Sequence, residues 1–178
     1  PDHTRIRKLF QAAFTRKALA ALTPRIHTLV DGYLDRLEDQ RRMEVVADFS
    51  FRLPVEVVCD MLGVPGSDRA LIRDWALLIL GALEPVLTEK QFKDGCDAVD
   101  AFKGYLRDRI QELRADRDPG REGEILSALV AAEEDGEKLT EIELLHQCIF
   151  LLNAGHETST NMLSHGVHEM LRHPDQIE

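Results

Sequence analysis

The sequence predicts a mainly α-helical protein with one short β-strand and one unusually long central helix. Its 178 residues are 44% hydrophobic and only 6% aromatic, with abundant Leu, Ala, Glu and Arg, a mixture that favours helix over strand. Apolar residues recur mostly at helical spacing. One helical pattern continues from Glu141 to about Arg172, where Pro174 should stop it, which corresponds to roughly 48 Å at the rise of an α-helix. The chain therefore fits one all-α domain over residues 1–178.

Capping residues and prolines divide the rest of the chain into shorter predicted helices. Asp2 and Thr15 are N-cap candidates for the first two. Thr23 followed by Pro24 predicts a further helix start, because proline suits the first helical position. Met43 to Ala47, Met-Glu-Val-Val-Ala, is the one predicted strand. The apolar pattern predicts later helices over residues 51–62, 67–83, 88–117 and 125–133.

The formal charge of −10 argues against nucleic acid as a partner, because phosphate binding requires a concentrated basic surface. Residues 1–52 contain ten Lys/Arg and seven Asp/Glu, whereas residues 53–178 contain twelve and twenty-five. An acidic protein could dock near the N-terminal section, although ordinary solvated helix faces would explain the same charges. No apolar run reaches the roughly 18–20 residues of a membrane span, and no secretory h-region is found. We expect a cytoplasmic protein with no membrane segment.

Three cysteines lie far apart in helical context, at Cys59, Cys96 and Cys148. An odd number without short spacings predicts reduced thiols rather than a disulfide framework or a zinc site. Each is expected to be a small buried hydrophobic residue.

The long predicted helix begins with a capping box. Thr140 and Glu143 have the Thr-x-x-Glu spacing in which each side chain satisfies a backbone donor of the first turn. Residues 148–152, Cys-Ile-Phe-Leu-Leu, are apolar on every side of the helix, so we expect other parts of the protein to surround them.

The segment after this apolar centre, Asn-Ala-Gly-His-Glu-Thr-Ser-Thr, breaks the local rules for a buried helix. Gly155 costs the helix about 1 kcal/mol relative to Ala, and an ionised Glu157 would be costly to desolvate. Ala154, Gly155 and Thr158 share one face, so a flat group could approach the backbone beside a hydroxyl. The Thr158 hydroxyl can bond back to the carbonyl four residues earlier, and Glu157 can relay a proton. The combination suits proton-coupled reduction of oxygen at a flat cofactor.

Ala-Gly-x-Glu-Thr in a long late helix resembles the oxygen-activation motif of cytochromes P450. The resemblance implies that Ala154 and Gly155 lie over the distal face of a haem b. It also implies that Thr158 hydrogen-bonds the bound oxygen and that Glu157 takes part in proton delivery. His156 occupies the variable position of the motif and receives no catalytic role.

The start of the chain resembles helix C of the same family. His3 and Arg7 are one helical turn apart on one face, and the resemblance implies that both bind the haem propionates. It further implies that Arg5 and Lys8 contribute to a surface for a ferredoxin or flavodoxin-type redox partner, which passes on electrons from NAD(P)H. Met-Leu-Gly-Val-Pro at residues 61–65 also matches, so the resemblance runs from helix C to the beginning of helix J.

The resemblance implies two further motifs, Glu-x-x-Arg and the Phe-x-x-Gly loop whose cysteine ligates the iron, in the part of the protein that follows residue 178. Cys59, Cys96 and Cys148 therefore receive no role as ligand, and the iron-ligating Cys is expected outside this chain. The resemblance implies a partial cytochrome P450 domain, inactive alone, of a monooxygenase that oxidises a small organic substrate with O₂. Between residues 69 and 117 it implies substrate-facing helices, where Leu78, Ile79, Leu83 and Val86 would form an apolar lining or ordinary packing.

A non-catalytic helical ligand-binding or interaction module with a fortuitous motif is the alternative function. Metal sites are not predicted. His156 and Glu157 begin a zincin-like His-Glu-x-x-His, but residue 160 is Thr. Glu143-x-x-His146 matches half of a di-iron carboxylate site, and the sequence contains no second Glu-x-x-His.

Overall fold

The computed structural model describes residues 2–38, 40–115, 124–134 and 139–177, and the described part of the chain contains helices and no β-strand. The predicted all-α class is confirmed. The described residues form seven α-helices: α1 (Asp2–Ala13), α2 (Arg16–Glu38), α3 (Arg52–Met61), α4 (Arg69–Gly81), α5 (Glu89–Ala115), α6 (Ile125–Glu134) and α7 (Glu141–Arg172). A π-helical segment at Val45–Ser50 precedes α3, and 3₁₀ turns lie at Gly66–Asp68 and Pro174–Gln176.

The long helix α7 is the centre of the fold. It packs against α3, α4, α5 and the π-helical segment, while α1 packs against α6 and α4 packs against α5. Buried side chains from these helices form one hydrophobic cluster. Its largest fully buried members are Leu62, Ile72, Phe102, Leu106, Ile110, Ile125, Leu126, Leu129, Leu144, Leu145 and Leu152. The first half of α7 contributes Leu144, Leu145, Cys148, Ile149 and Leu152 to this cluster, so packing against α3, α4, α5 and the π-helical segment fixes the position of that helix.

The capping box predicted for α7 is confirmed. The Thr140 backbone N–H donates to Glu143 Oε2 at 2.8 Å, and the Glu143 N–H donates to Thr140 Oγ1 at 3.3 Å. The helix ends at Arg172, directly before His173 and Pro174, as predicted. Short-range signals therefore determine both ends of the longest helix.

The predicted strand at Met43–Ala47 is wrong. Residues from Val45 onward form a π-helical turn instead, because the side chain of Glu44 accepts from two backbone N–H groups of that turn and Asp48 Oδ2 accepts from the Glu44 N–H at 2.8 Å. The two valines favour extended backbone, but a strand needs a neighbouring strand to satisfy its ladder, and the described residues offer none.

The predicted helix start at Thr23 and Pro24 is also wrong. Helix α2 continues through Pro24, after the Thr15 hydroxyl caps its beginning by accepting from the Ala18 N–H at 3.0 Å. Proline removes one intrahelical hydrogen bond. Pro24 and Ala20, whose carbonyl loses its donor, are both exposed, so water can satisfy that carbonyl and the helix need not end.

Other predicted boundaries differ by a few residues. Helix α4 is preceded by a 3₁₀ turn and ends at Gly81, and α6 extends to Glu134. The predicted end of α5 near residue 117 lies outside the described residues. Of the three predicted buried thiols, Cys59 and Cys148 are buried, whereas Cys96 is exposed. Within the described ranges, no helix combines the length and the apolar character needed to cross a membrane.

Candidate functional site

A cavity of about 650 Å³ lies between α1 and α7, and it contains both basic residues that the sequence paired. His3 and Arg7 line it and are exposed. The remaining lining residues are Ile6, Phe10, Gln11, Gln147 and Phe150. The residues from α1 recur at intervals of three and four, so one face of that helix is turned toward the cavity. The volume lies within the roughly 300–1,000 Å³ typical of cofactor and ligand sites.

The apolar centre of α7 is not surrounded on every side as predicted. Cys148, Ile149 and Leu152 are buried, but Phe150 is 62% exposed. Its ring belongs to the wall of the cavity facing α1. The amino-acid pattern could not distinguish this arrangement from a fully buried helix, because an apolar residue suits both a core and the wall of an apolar site.

An exposed stripe continues along α7 from Phe150. Ala154 and Thr158 follow at intervals of four residues and are both exposed, and Glu157 lies beside them and is exposed as well. Because Glu157 is exposed, it does not bear the cost of desolvation. The small side chain of Ala154 lies between the aromatic wall of the cavity and the hydroxyl of Thr158, so a flat group could contact the helix there.

The hydroxyl of Thr158 is held against the helix backbone. Thr158 Oγ1 donates to the Ala154 carbonyl at 2.6 Å, as the sequence predicts for this residue. The bond uses the hydroxyl proton and leaves the oxygen lone pairs available to accept. Water or another donor can therefore bind at this position of the stripe.

Gly155 has a packing role that sequence reasoning did not identify. A Cβ atom at this position would lie 3.0 Å from Cγ2 of Val58 in α3, which is closer than ordinary contact. The glycine therefore permits close approach of α3 and α7, the two helices that pack together in the centre of the fold. This reason for glycine is independent of any cofactor.

His156 is a core residue, and the sequence did not indicate how deeply it is buried. Only 1% of its surface is exposed, and its ring meets the Phe51 ring edge-on at 4.6 Å between centroids. Burial lowers the pKa of His156, and a backbone group of Phe51 and the charge of Glu157 oppose that effect only in part. No described group completes a well-formed hydrogen bond with either ring nitrogen. Its neutral ring packs α7 against the turn before α3.

The first turn of α7 is connected to two neighbouring helices by ion pairs. Arg5 of α1 bonds Glu143 Oε1 at 2.5 Å, and Arg107 of α5 bonds Glu141 Oε1 at 2.8 Å. The backbone N–H of Thr140 and then the Arg5 guanidinium lower the pKa of Glu143. Arg5, predicted on a redox-partner surface, is half-buried and paired with Glu143, whereas Lys8 is exposed.

The residues around the cavity fit a flat apolar group with an anionic edge. Ile6, Phe10 and Phe150 supply apolar contact, while His3 and Arg7 supply donors for carboxylates along one side. A haem has this combination of an apolar macrocycle and two propionates, so the lining is compatible with the cofactor that the sequence implies.

Comparison with known proteins supports the same family. The family profile described as Cytochrome P450 matches residues 69–178. Cytochrome P450 CYP107DY1 of Priestia megaterium is 38% identical over 99% of this chain and 42% of its own length. The vitamin D(3) 25-hydroxylase of Pseudonocardia autotrophica is 36% identical over 99% of this chain and 41% of its own length. The chain thus spans about two fifths of the curated relatives that it matches.

Solved structures agree with the sequence comparison. The LnmA cytochrome P450 hydroxylase of Streptomyces atroolivaceus superposes with a TM-score of 0.87 at 32% identity, covering 99% of this chain and 43% of that chain. CYP109E1 of Bacillus megaterium, solved in complex with testosterone, superposes with a TM-score of 0.84 at 32% identity, covering 97% and 45%. The alternative of a non-catalytic module finds no support in these similarities. The family profile, the relatives and the shared fold together show that this chain belongs to the cytochrome P450 family.

Proposed function

We propose that this chain forms the distal, oxygen-handling part of a haem-thiolate monooxygenase, together with the side that binds the haem propionates. The observation that carries the proposal is the cavity beside α7, where His3 and Arg7 face an exposed stripe that continues to Thr158. The complete enzyme would hydroxylate or otherwise oxidise a small organic substrate, consuming O₂, two electrons and two protons and releasing water.

The residues of α1 would bind and orient the haem. His3 and Arg7 would donate hydrogen bonds to its propionates, and Phe10 with Phe150 would exclude water from the adjacent apolar surface. Ala154, and the backbone at Gly155, would permit close approach to α7. When bound, the haem would supply the reductive activation of O₂ and the transfer of one oxygen atom.

Two residues of α7 would control protons at this site. Thr158 donates its proton to the Ala154 carbonyl and can accept a hydrogen bond from water, which would hold that water beside the oxygen-binding position. Glu157 is exposed and can exchange protons with solvent, so it would renew the proton that the water delivers.

The remaining parts of the enzyme would come from elsewhere. The axial ligand would be a Cys outside this chain, because none of Cys59, Cys96 and Cys148 lines the cavity, and burial raises the pKa of Cys59 and of Cys148 to about 12. Electrons from NAD(P)H would arrive in the cytoplasm through a ferredoxin or flavodoxin-type partner, and the exposed Lys8 is a candidate contact for its acidic surface.

The substrate would contact an apolar region between α4 and α5. Leu78, Leu83 and Val86 are exposed there. Leu83 and the buried Ile79 both line a cavity of about 330 Å³ between the two helices. Exposed apolar side chains beside a cavity suit a hydrophobic organic molecule. The vitamin D(3) hydroxylase and the testosterone complex among the relatives support that substrate class.

The role of Thr158 can be tested by substitution in the full-length enzyme. Thr158→Ala should increase peroxide release and lower the fraction of electrons recovered in product, because the hydroxyl that holds water is lost. Thr158→Ser is the matched control and should retain most of the coupling. Unchanged coupling in Thr158→Ala would refute the proton role, and a reduced protein without the thiolate-type CO spectrum would refute the monooxygenase assignment itself.

A further inference from the structure

Arg5 belongs to a different face of α1 from the residues that line the cavity. It lies four residues before Leu9 and eight before Ala13, both of which are buried where α1 packs against α6. His3 and Arg7 are each two residues away from Arg5, so they lie on the opposite side of the helix. Arg5 therefore extends the packed face of α1, and its own side chain is 34% exposed.

The partner of Arg5 is a carboxylate with two functions. Glu143 Oε2 accepts from the Thr140 N–H as part of the capping box, and Glu143 Oε1 accepts from Arg5 Nη2. Each oxygen thus has its own donor, and the charge is further favoured at the beginning of a helix. The side chain of Glu143 is 22% exposed, so this pair is less accessible to solvent and salt than a typical surface ion pair.

The pair connects the two helices that form the cavity. α1 packs chiefly against α6, so the long side chain of Arg5 bridges from α1 to the start of α7. Gln147, one turn after Glu143, and Phe150 line the cavity opposite His3 and Arg7. A change at the Arg5–Glu143 contact would therefore alter the separation of the two walls.

We propose that Arg5 is a positioning residue, which through Glu143 fixes the start of α7 relative to the helix that carries His3 and Arg7. The inference rests on the proposed haem-binding function of the cavity. It assigns Arg5 to the architecture of the site and removes it from the redox-partner surface.

The chain provides a matched control at the same helical turn. Arg107 pairs with Glu141, and their side chains are 47% and 49% exposed. This pair connects α7 to α5, and neither of its residues lines the cavity. Removing the Arg107–Glu141 pair tests whether the loss of any ion pair at the beginning of α7 alters the cavity.

The experiment uses the full-length haem protein and five variants: Arg5→Gln, Arg5→Lys, Glu143→Gln, Arg107→Gln and the double variant Arg5→Gln, Glu143→Gln. Glutamine at position 143 can still accept from the Thr140 N–H, because Gln also serves in a capping box, so this variant removes the ion pair and keeps the cap. The rate of haem transfer to a haem-free acceptor protein and amide exchange in the first turns of α7 are measured for each. The reduced CO spectrum of the unmodified protein separately tests the haem-thiolate function.

Arg5→Gln and Glu143→Gln should each accelerate haem release by about fivefold, the order expected when a partly exposed charged hydrogen bond is lost. The double variant Arg5→Gln, Glu143→Gln should release haem no faster than either single variant, since both substitutions remove the same contact. Amide exchange should increase at residues 143–147. Haem release from Arg5→Lys should be slower than from Arg5→Gln but faster than from the unmodified protein. Arg107→Gln should leave haem release unchanged.

Three results would overturn the inference. Haem release from Arg5→Gln equal to that of the unmodified protein would show that the contact does not position the walls. Equal acceleration of haem release in Arg107→Gln and Arg5→Gln would indicate that any loss of an ion pair at the start of α7 has this result. Slower electron transfer with unchanged haem release and amide exchange would instead place Arg5 on the redox-partner surface.

Discussion

Gly95 of α5 lies against the C-terminal end of α4. A Cβ atom built on Gly95 would lie 2.2 Å from the Ala82 Cβ and 3.2 Å from the Leu78 carbonyl oxygen. Carbon atoms in contact are separated by about 3.5–4.0 Å. Gly95→Ala therefore requires the two helices to separate by roughly 1.5 Å at this point.

The expected cost follows from two opposing contributions. Alanine is better than glycine in a helix interior by about 1 kcal/mol. Overpacking in a well-packed core costs about 1–3 kcal/mol, and a contact this short corresponds to the upper end of that range. Gly95→Ala should therefore lower the free energy of unfolding by about 2 kcal/mol in net terms.

Gly104 is the matched control in the same helix, because a Cβ atom there would meet nothing within 4 Å. Gly104→Ala should stabilise the protein by about 0.5–1 kcal/mol, since only the helix preference changes. The double variant Ala82→Gly, Gly95→Ala should recover most of the lost stability, because it removes the opposing methyl group from Ala82, the C-cap that follows α4, where glycine is tolerated.

Thermal unfolding of the full-length protein, with amide exchange across α4 and α5, measures these effects. A change of 1 kcal/mol corresponds to roughly 2–4 °C for chains of 150–250 residues and to less for longer ones, so Gly95→Ala should melt about 2 °C or more below the unmodified protein. Equal melting of the Gly95→Ala and Gly104→Ala variants would refute the packing argument. If the double variant Ala82→Gly, Gly95→Ala melts no higher than Gly95→Ala, the clash lies elsewhere.

Two further predictions concern buried titratable groups. Because burial lowers the pKa of His156 below its ordinary value of 6.5, the unfolded chain binds that proton more strongly, so stability should fall as the pH decreases below about 6.5. His156→Phe should reduce that loss, and an identical pH dependence of the melting temperature would contradict the assignment. Among the thiols, Cys96 should react rapidly with a maleimide at pH 8, whereas Cys59 and Cys148 should not, because burial raises the pKa of each to about 12. Peptide mapping of the labelled protein checks this, and modification of either buried thiol in the folded state would count against it.

The limits of α7 and the back-bonded hydroxyl of Thr158 could be predicted because their causes are local. The capping box joins residues three apart, and the Thr158 bond reaches four residues back. Proline at 174 acts on the residues immediately before it. The same short range explains why the helical class and most helix positions were readable from spacing alone.

The failed predictions depend on what surrounds a segment. Val45 and Val46 have strand-forming side chains, but the described structure gives them no neighbouring strand, and Glu44 with Asp48 stabilises a helical turn instead. Pro24 would end a buried helix, yet exposure allows water to satisfy the freed carbonyl. The local sequence does not show whether a segment has a neighbouring strand or whether a helix is exposed to water.

Tertiary structure also decided which residues form the site. The sequence selected His3, Arg7 and Thr158 by their spacing and family resemblance, but it did not show that Arg5 pairs with Glu143 or that Phe150 lines a cavity. Arg5 and Glu143 are separated by 138 positions, and only the packing of α1 beside the start of α7 brings their charges together. Phe150 lines a cavity for the same reason. Hydrogen bonds within one turn are specified by neighbouring residues, whereas contacts between helices depend on how the whole chain buries its apolar faces.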